Sequence, residues 1–196
     1  LADGPFPEHY EPLESPLEKN LLSPQFISPV LKRFDRSTTS DVNMRASHNA
    51  QYPLVCTTYR VTEHWQTGVM TRWQPWLAEL EPGMFVEMSS ELAAERGIKT
   101  GEIVIVKSAR GQLEAVAMVT VRWQPFTIAG KIIHQVGIPY HYGWVTTAER
   151  KYAANDKKPE VFTFGDSANI ITPNIGDANT MIPESKVFMV DVIKKA

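Results

Sequence analysis

From Tyr52 onward, apolar positions recur in short segments with the two-residue period of strands, whereas residues 1–50 carry no period at all. Tyr52 to Thr58 reads as a buried strand running into a loop, and Met84-Phe-Val-Glu-Met88 as a second short strand. Ser89 and Ser90 offer an N-cap with Glu91 in the first turn. Leu92 to Arg96 continues as a short helix, and Gly97 suits the position just past its end. Glu102 to Ser108 predicts a strand, Ala109 to Gln112 a tight turn, and Gln112 to Arg122 the returning strand. On that return Leu113, Ala115, Ala117, Val119 and Val121 alternate with a more polar set, the pattern of one buried face. Further strands are expected at Lys131 to Val136 and at Lys186 to Ile193.

Short strands, hairpins and one or two short helices predict a mainly β (α+β) domain, a closed barrel of six to seven strands, because closure removes the edges such strands would expose. The run strand–helix–Gly–strand–hairpin over residues 84–122 is what half of a double-psi β-barrel requires. The expected division is an extended Pro-rich arm over residues 1–50 and the barrel over 51–196. Pro5, Pro7, Pro12, Pro16, Pro24 and Pro29 interrupt any period in the arm. Its Phe6, Tyr10, Leu21, Leu22 and Phe26 imply that it lies on a surface, of this domain or of another. Arg-Trp-Gln-Pro occurs at 72–75 and at 122–125 without similar flanks, and reads as coincidence.

Composition narrows the classes. A formal charge of -2 and a pI near 6.2 offer no field for nucleic acid or for anionic lipid. No run of eighteen apolar residues predicts a membrane span. Cys56 is the one cysteine, so no disulfide and no cysteine-built metal site forms within the chain, and its apolar neighbours make it a buried hydrophobe. Leu1-Ala-Asp-Gly-Pro5 is neither an initiator nor a signal peptide and suggests part of a longer chain.

Three polar segments remain as candidate chemistry. Thr57 to Arg72 packs threonines, two arginines, Glu63, His64 and Gln66 around Gly68, right after a buried strand. Arg, hydroxyl and backbone N–H groups suit phosphate, and Glu suits the amino groups of a heterocycle. A surface loop anchored by Trp65 has the same composition. Val136 to Trp144 sets Tyr140, His141 and Tyr142 between glycines, a tight path with a stacking surface. Thr172 to Lys186 places Asn174, Asp177 and Asn179 before the last strand, where they serve a guanine edge or an ordinary turn. Glu79 and Glu81 read as exposed charges at a helix end. No nucleophile elbow, zinc helix or phosphate-binding glycine motif is present, so catalysis by this chain alone is not expected.

The segment Thr58 to Arg72 resembles the loop after the first barrel strand in large subunits of the dimethyl sulfoxide reductase superfamily, many of which read Glu-His-Trp-His-Thr-Gly. Gln66 stands here for the second His. Gly176-Asp-Ala-Asn179 with Pro183-Glu184 is similar to the closing loop of the formate dehydrogenase branch. Phe6 to Pro16 resembles the lead-in to the same carboxy-terminal domain. The likeness covers nearly the whole chain.

It implies a double-psi barrel that binds bis(molybdopterin guanine dinucleotide) carrying Mo or W, within a formate dehydrogenase alpha subunit. By that resemblance Thr58, Tyr59, Arg60, Glu63, His64 and Thr67 line the first loop of the site. His141, Tyr142 and Gly143 approach the pterin side, and Asn174, Asp177 and Asn179 close it. The metal ligand, the catalytic residues and a [4Fe-4S] cluster would lie in earlier domains. The remainder of the large subunit and an iron–sulfur electron-transfer subunit would be partners. The resemblance points to a periplasmic enzyme, a cytoplasmic one being the alternative. The competing readings are a nitrate-reductase-like relative and a free-standing barrel used as an interaction module.

Overall fold

The computed structural model describes residues 14–17, 50–143, 165–174, 180, 182–183 and 185–195. Six strands close into a barrel. They are β1 (Leu54–Tyr59), β2 (Phe85–Ser89), β3 (Ile103–Lys107), β4 (Gln112–Thr120), β7 (Gln135–Pro139) and β8 (Phe188–Lys194), in the spatial order β1-β7-β2-β4-β3-β8. β5 (Phe126–Ile128) and β6 (Lys131–Ile133) form a separate hairpin. Two parallel pairs, β1 with β7 and β2 with β4, flank the antiparallel contact of β7 with β2, and the other three contacts of the barrel are antiparallel.

Alternation builds the core. Leu54 and Cys56 of β1, Val104 and Val106 of β3, and Leu113, Ala115 and Ala117 of β4 point inward and are buried. Phe188, Val190 and Val192 of β8 join them. The expected buried face of β4 stops early, because the strand ends at Thr120 and Val121 is 84% exposed. Burial pushes the Cys56 thiol far above its ordinary range, as befits an inert core residue.

Helix α1 (Pro75–Leu80) and helix α2 (Ser90–Arg96) are the only α-helices among the described residues. α2 has the predicted ends: Ser89 Oγ accepts from the Leu92 N–H, and Gly97 takes φ 62° to close it. α1 was not predicted. Pro75 opens it, Ala78 faces the barrel, and Trp76 and Leu80, one turn apart, are exposed. The first Arg-Trp-Gln-Pro copy leads into this helix and the second into β5, so the two have no common structure.

The single strand expected over Lys131 to Val136 is two. His134 separates β6, which pairs with β5, from β7, which pairs inside the barrel with β1 and β2. Glu14 of the arm is also fixed to the barrel. Its carboxylate accepts from Arg110 Nη1 (2.6 Å), from Arg110 Nη2 (3.0 Å) and from the Met189 N–H (2.6 Å). Arg110 donates its Nε–H to the Ile171 carbonyl at 2.9 Å.

Candidate functional site

Parallel pairing decides which loops meet. β1 and β7 run in register to Tyr59 and Pro139, so the segments after them leave the same end of the barrel side by side. β8 enters at that end, since Cys56 of β1 faces Phe188. Thr57 to Arg72, Tyr140 to Gly143 and Ser185–Lys186 therefore converge, although about 80 and 130 residues separate them along the chain.

At the mouth Arg60 donates its Nε–H to the Tyr140 hydroxyl, and its guanidinium carbon lies 5.7 Å from that ring. Lys186 Nζ, also 5.7 Å from the Tyr140 ring, donates to the Thr58 carbonyl. The Thr58 hydroxyl donates to the Ser185 carbonyl at 3.0 Å, tying β1 to the entry of β8. Burial and then the charge of Arg60 hold the Lys186 ammonium below its ordinary pKa. Two cations share one aromatic ring, and among the described residues no carboxylate is hydrogen-bonded to either. That is a candidate anion site, since its donor chemistry suits one.

Beside it a cleft of about 470 Å³ is lined by Arg60, Glu63, His64, Trp65, Gln66 and Thr71, with Leu77 of α1 at its apolar side. The loop around it is held by a chain of hydrogen bonds. The Thr71 hydroxyl accepts the Trp65 N–H (3.0 Å) and faces His64 Nδ1 (3.3 Å), while His64 Nε2 meets the Glu81 carbonyl at 2.8 Å. The Tyr142 hydroxyl donates to that same carbonyl at 3.0 Å, and its ring meets His64 edge-on. His141 is fully buried, stacked on Tyr140, with both ring nitrogens bonded to the loop. Glu81 is no exposed helix-end charge: half-buried, its carboxyl is pushed up to about 7 by burial and by the charge of Glu63.

The predicted residues thus fall into groups. Arg60, Glu63 and His64 line the cleft, and Thr58 joins the anion site through Lys186. Thr67 and Gly143 are exposed on the adjoining loops, and Asn174 is exposed at the end of the 165–174 segment. Asp177 and Asn179 lie outside the described residues.

Tyr59 faces away from the barrel interior, and its hydroxyl donates to Glu87 Oε2 at 2.8 Å. Glu87 is buried and also accepts from Thr120 (2.9 Å) and from Arg122 Nε (2.9 Å). Burial works against its charge, yet the hydrogen bonds from Arg122, Tyr59 and Thr120 outweigh it and hold the carboxyl below its usual range.

Lys186 is not singled out by the sequence, and Tyr140 only as part of a stacking surface. Lys186 does end a loop of turn formers, and Tyr140 stands in the aromatic run. Glu87 carried the clearer signal, a lone carboxylate inside an apolar strand, which must be paired when buried.

A closed β-barrel with a cationic notch and a polar cleft at one end is a ligand-binding domain for an anionic molecule of some size. Residues 54–189 match the Molydopterin dinucleotide binding domain family, and the chain belongs to it. It is 50% identical over 192 residues to the formate dehydrogenase subunit alpha of Megalodesulfovibrio gigas, and 41% identical over 195 residues to the nitrate-inducible formate dehydrogenase major subunit of Escherichia coli. These matches take in 98% and 99% of this chain, which spans 17% of the length of each relative. Acetylene hydratase from Pelobacter acetylenicus has a similar fold, with a TM-score of 0.51 at 16% identity over 74% of this chain and 18% of its own.

Proposed function

We propose that this chain grips the guanosine and pyrophosphate end of bis(molybdopterin guanine dinucleotide), carrying Mo or W, as the carboxy-terminal domain of a formate dehydrogenase large subunit. The observation that carries the reading is the pair Arg60 and Lys186 on Tyr140, a donor set that suits a pyrophosphate beside a cleft with room for the attached nucleoside. Glu63, Thr67 and Gly143 border that position, and Asn174, Asp177 and Asn179 are the proposed closing contacts. When bound, the cofactor supplies the redox chemistry by which formate becomes carbon dioxide. The residues of this chain bind and orient it, and contribute no acid, base or metal ligand to the reaction.

In the same reading the [4Fe-4S] cluster and catalytic residues belong to the remainder of the large subunit, and electrons pass to an iron–sulfur subunit in the periplasm. Exposed Trp65, Trp73 and Trp76, with Met70 and Leu80 beside them, support a face towards that remainder, since soluble domains rarely expose so large an apolar patch. Full-length coverage by formate dehydrogenase subunits favours formate over nitrate and over a free-standing module. The division into an arm up to residue 50 and a barrel beyond it is part of this proposal, with Glu14 as the arm's anchor.

Arg60→Ala in the full-length enzyme tests the reading. A charge-assisted hydrogen bond contributes ~1.5–3 kcal/mol, so guanine nucleotide retained per polypeptide should fall on the order of ten-fold or more at limiting cofactor, with the fold intact. Unchanged retention would refute it.

A further inference from the structure

His141 does something that neither composition nor family membership assigns. Its Nε2 accepts the Val61 N–H at 2.9 Å, so Nε2 carries no proton, and the proton of the neutral ring sits on Nδ1, which donates to the Gln66 carbonyl. Gln66 itself takes φ 47°, a left-handed conformation that a side chain resists, so its carbonyl is turned towards the ring at a cost that some partner must offset. Gly68 completes the clamp. A Cβ there would lie 2.8 Å from the His141 carbonyl oxygen, at φ 79°. One buried imidazole thus fixes both ends of the stretch that lines the cleft, and Arg60 is the residue just before it.

We propose that His141 is a positioning residue, a neutral Nδ1–H imidazole that holds residues 61–68 and so sets Arg60 on Tyr140, and that its protonation releases this stretch. The proposal rests on the cofactor-site reading above only for what Arg60 binds.

The charged form is excluded by geometry: a proton on Nε2 would face the Val61 N–H, donor against donor. The surroundings agree. Burial foremost, then the nearby His64, Arg60 and Arg72, disfavour the cation, while the Gln66 carbonyl pulls the other way. Tyr140 is stacked on the ring at 4.8 Å, and His64, whose centroid is 5.9 Å away, leads on to Tyr142 and Glu81. Glu63 acts on Glu81 and Tyr142. Loss of the Val61 contact is therefore expected only on acidification below the ordinary histidine range.

The test uses the full-length enzyme. His141→Phe keeps an aromatic ring to stack on Tyr140, a larger one, but loses both hydrogen bonds. His141→Asn keeps a donor for Gln66. Hydrogen exchange at the Val61 amide, corrected for its intrinsic pH dependence, should quicken about ten-fold in both variants. Wild type should show the same quickening only in acid.

Guanine nucleotide retention should fall about ten-fold in His141→Phe and less in His141→Asn. Arg60→Ala should add little to His141→Phe although it costs retention in wild type, because the two act through one geometry. Unchanged Val61 protection in His141→Phe, or effects of Arg60→Ala and His141→Phe that multiply fully, would overturn the proposal. If Arg60→Ala alone leaves retention intact while Val61 protection still depends on His141, the positioning role stands and the cofactor reading falls. Should His141→Phe not fold, His141→Asn carries the same comparison.

Discussion

Glu14→Ala is the sharpest perturbation of the fold. The Glu14 and Arg110 side chains are only 7% and 4% exposed, and they meet through both guanidinium nitrogens. Removing the carboxylate leaves Arg110 with the Ile171 carbonyl and the Phe188 ring, 5.9 Å away, as its remaining described partners. It also strips the acceptor from the Met189 N–H. Breaking one side of a buried pair costs ~3–5 kcal/mol, because the stranded charge is the expensive part. At roughly 2–4 °C per kcal/mol for a chain of this size, thermal unfolding should shift down by about 6–20 °C. The double variant Glu14→Leu with Arg110→Met should recover most of this, since it strands no charge. About 1–2 kcal/mol should remain lost through the Met189 N–H. Calorimetry on wild type and the two variants gives the comparison, with limited proteolysis between residues 10 and 20 reporting release of the arm. A loss below about 1 kcal/mol in Glu14→Ala would mean that the arm is not docked in solution, and the reasoning fails.

Three further outcomes follow from named contacts. Gly137→Ala would place a Cβ 2.4 Å from Tyr59 Cε1 and 2.5 Å from Trp123 Cζ2, so it should cost ~1–3 kcal/mol in urea unfolding; a neutral effect would show that the rings are free to move. Glu87 has a depressed folded-state pKa, so its contribution is present above the ordinary carboxylate pKa and lost as pH falls through the folded value. Glu87→Gln should lower stability at pH 7 by ~2 kcal/mol and remove that part of the acid dependence, as stability curves from pH 7 to 3 would reveal. Glu81 has the opposite sign: raised from 4.5 to about 7, it costs stability as pH rises through that interval. Partial exposure of the carboxyl to water cuts the full shift to about 1 kcal/mol, so Glu81→Gln should be that much more stable than wild type at pH 8 and equal to it near pH 4.5.

The sequence made local chemistry legible and distant pairing not. Ser89 and Gly97 mark both ends of α2 because caps are read from single residues. The β3–β4 hairpin shows because its register is set by one turn. α1 is six residues long, too short for a helical period, and its Trp76 and Leu80 face out. The change of partner at His134 leaves no trace in the sequence, because no Gly, Pro, Asn or Asp stands between β6 and β7. Arg60, His64 and His141 were named as a group by resemblance. What brings them together is the parallel contact of β1 with β7, a fact of register that no local pattern carries. The cost of that register also explains Gly137, which faces Thr57 on one side and Glu87 on the other and has no room for a methyl group.

The two kinds of scaffold in this barrel divide by charge. Away from the cleft, Arg110 and Arg122 are each locked to a buried carboxylate, Glu14 and Glu87. At the cleft the holding groups described include no carboxylate: they are the His141 imidazole, the Tyr142 hydroxyl, Thr71 and backbone carbonyls. A carboxylate used as a pin there would neutralise Arg60 and Lys186, whose mutual repulsion already lowers the Lys186 pKa. Opposite charges ~4 Å apart near a protein surface attract by about 4 kcal/mol, enough to compete with any incoming phosphate. Holding the loop without a carboxylate leaves the two cations with no acidic hydrogen-bond partner among the described residues, and so available to an anionic ligand. Among the described acids, Glu63 acts through its charge on Glu81, whose carboxyl is shifted towards its neutral form, and neither is hydrogen-bonded to Arg60.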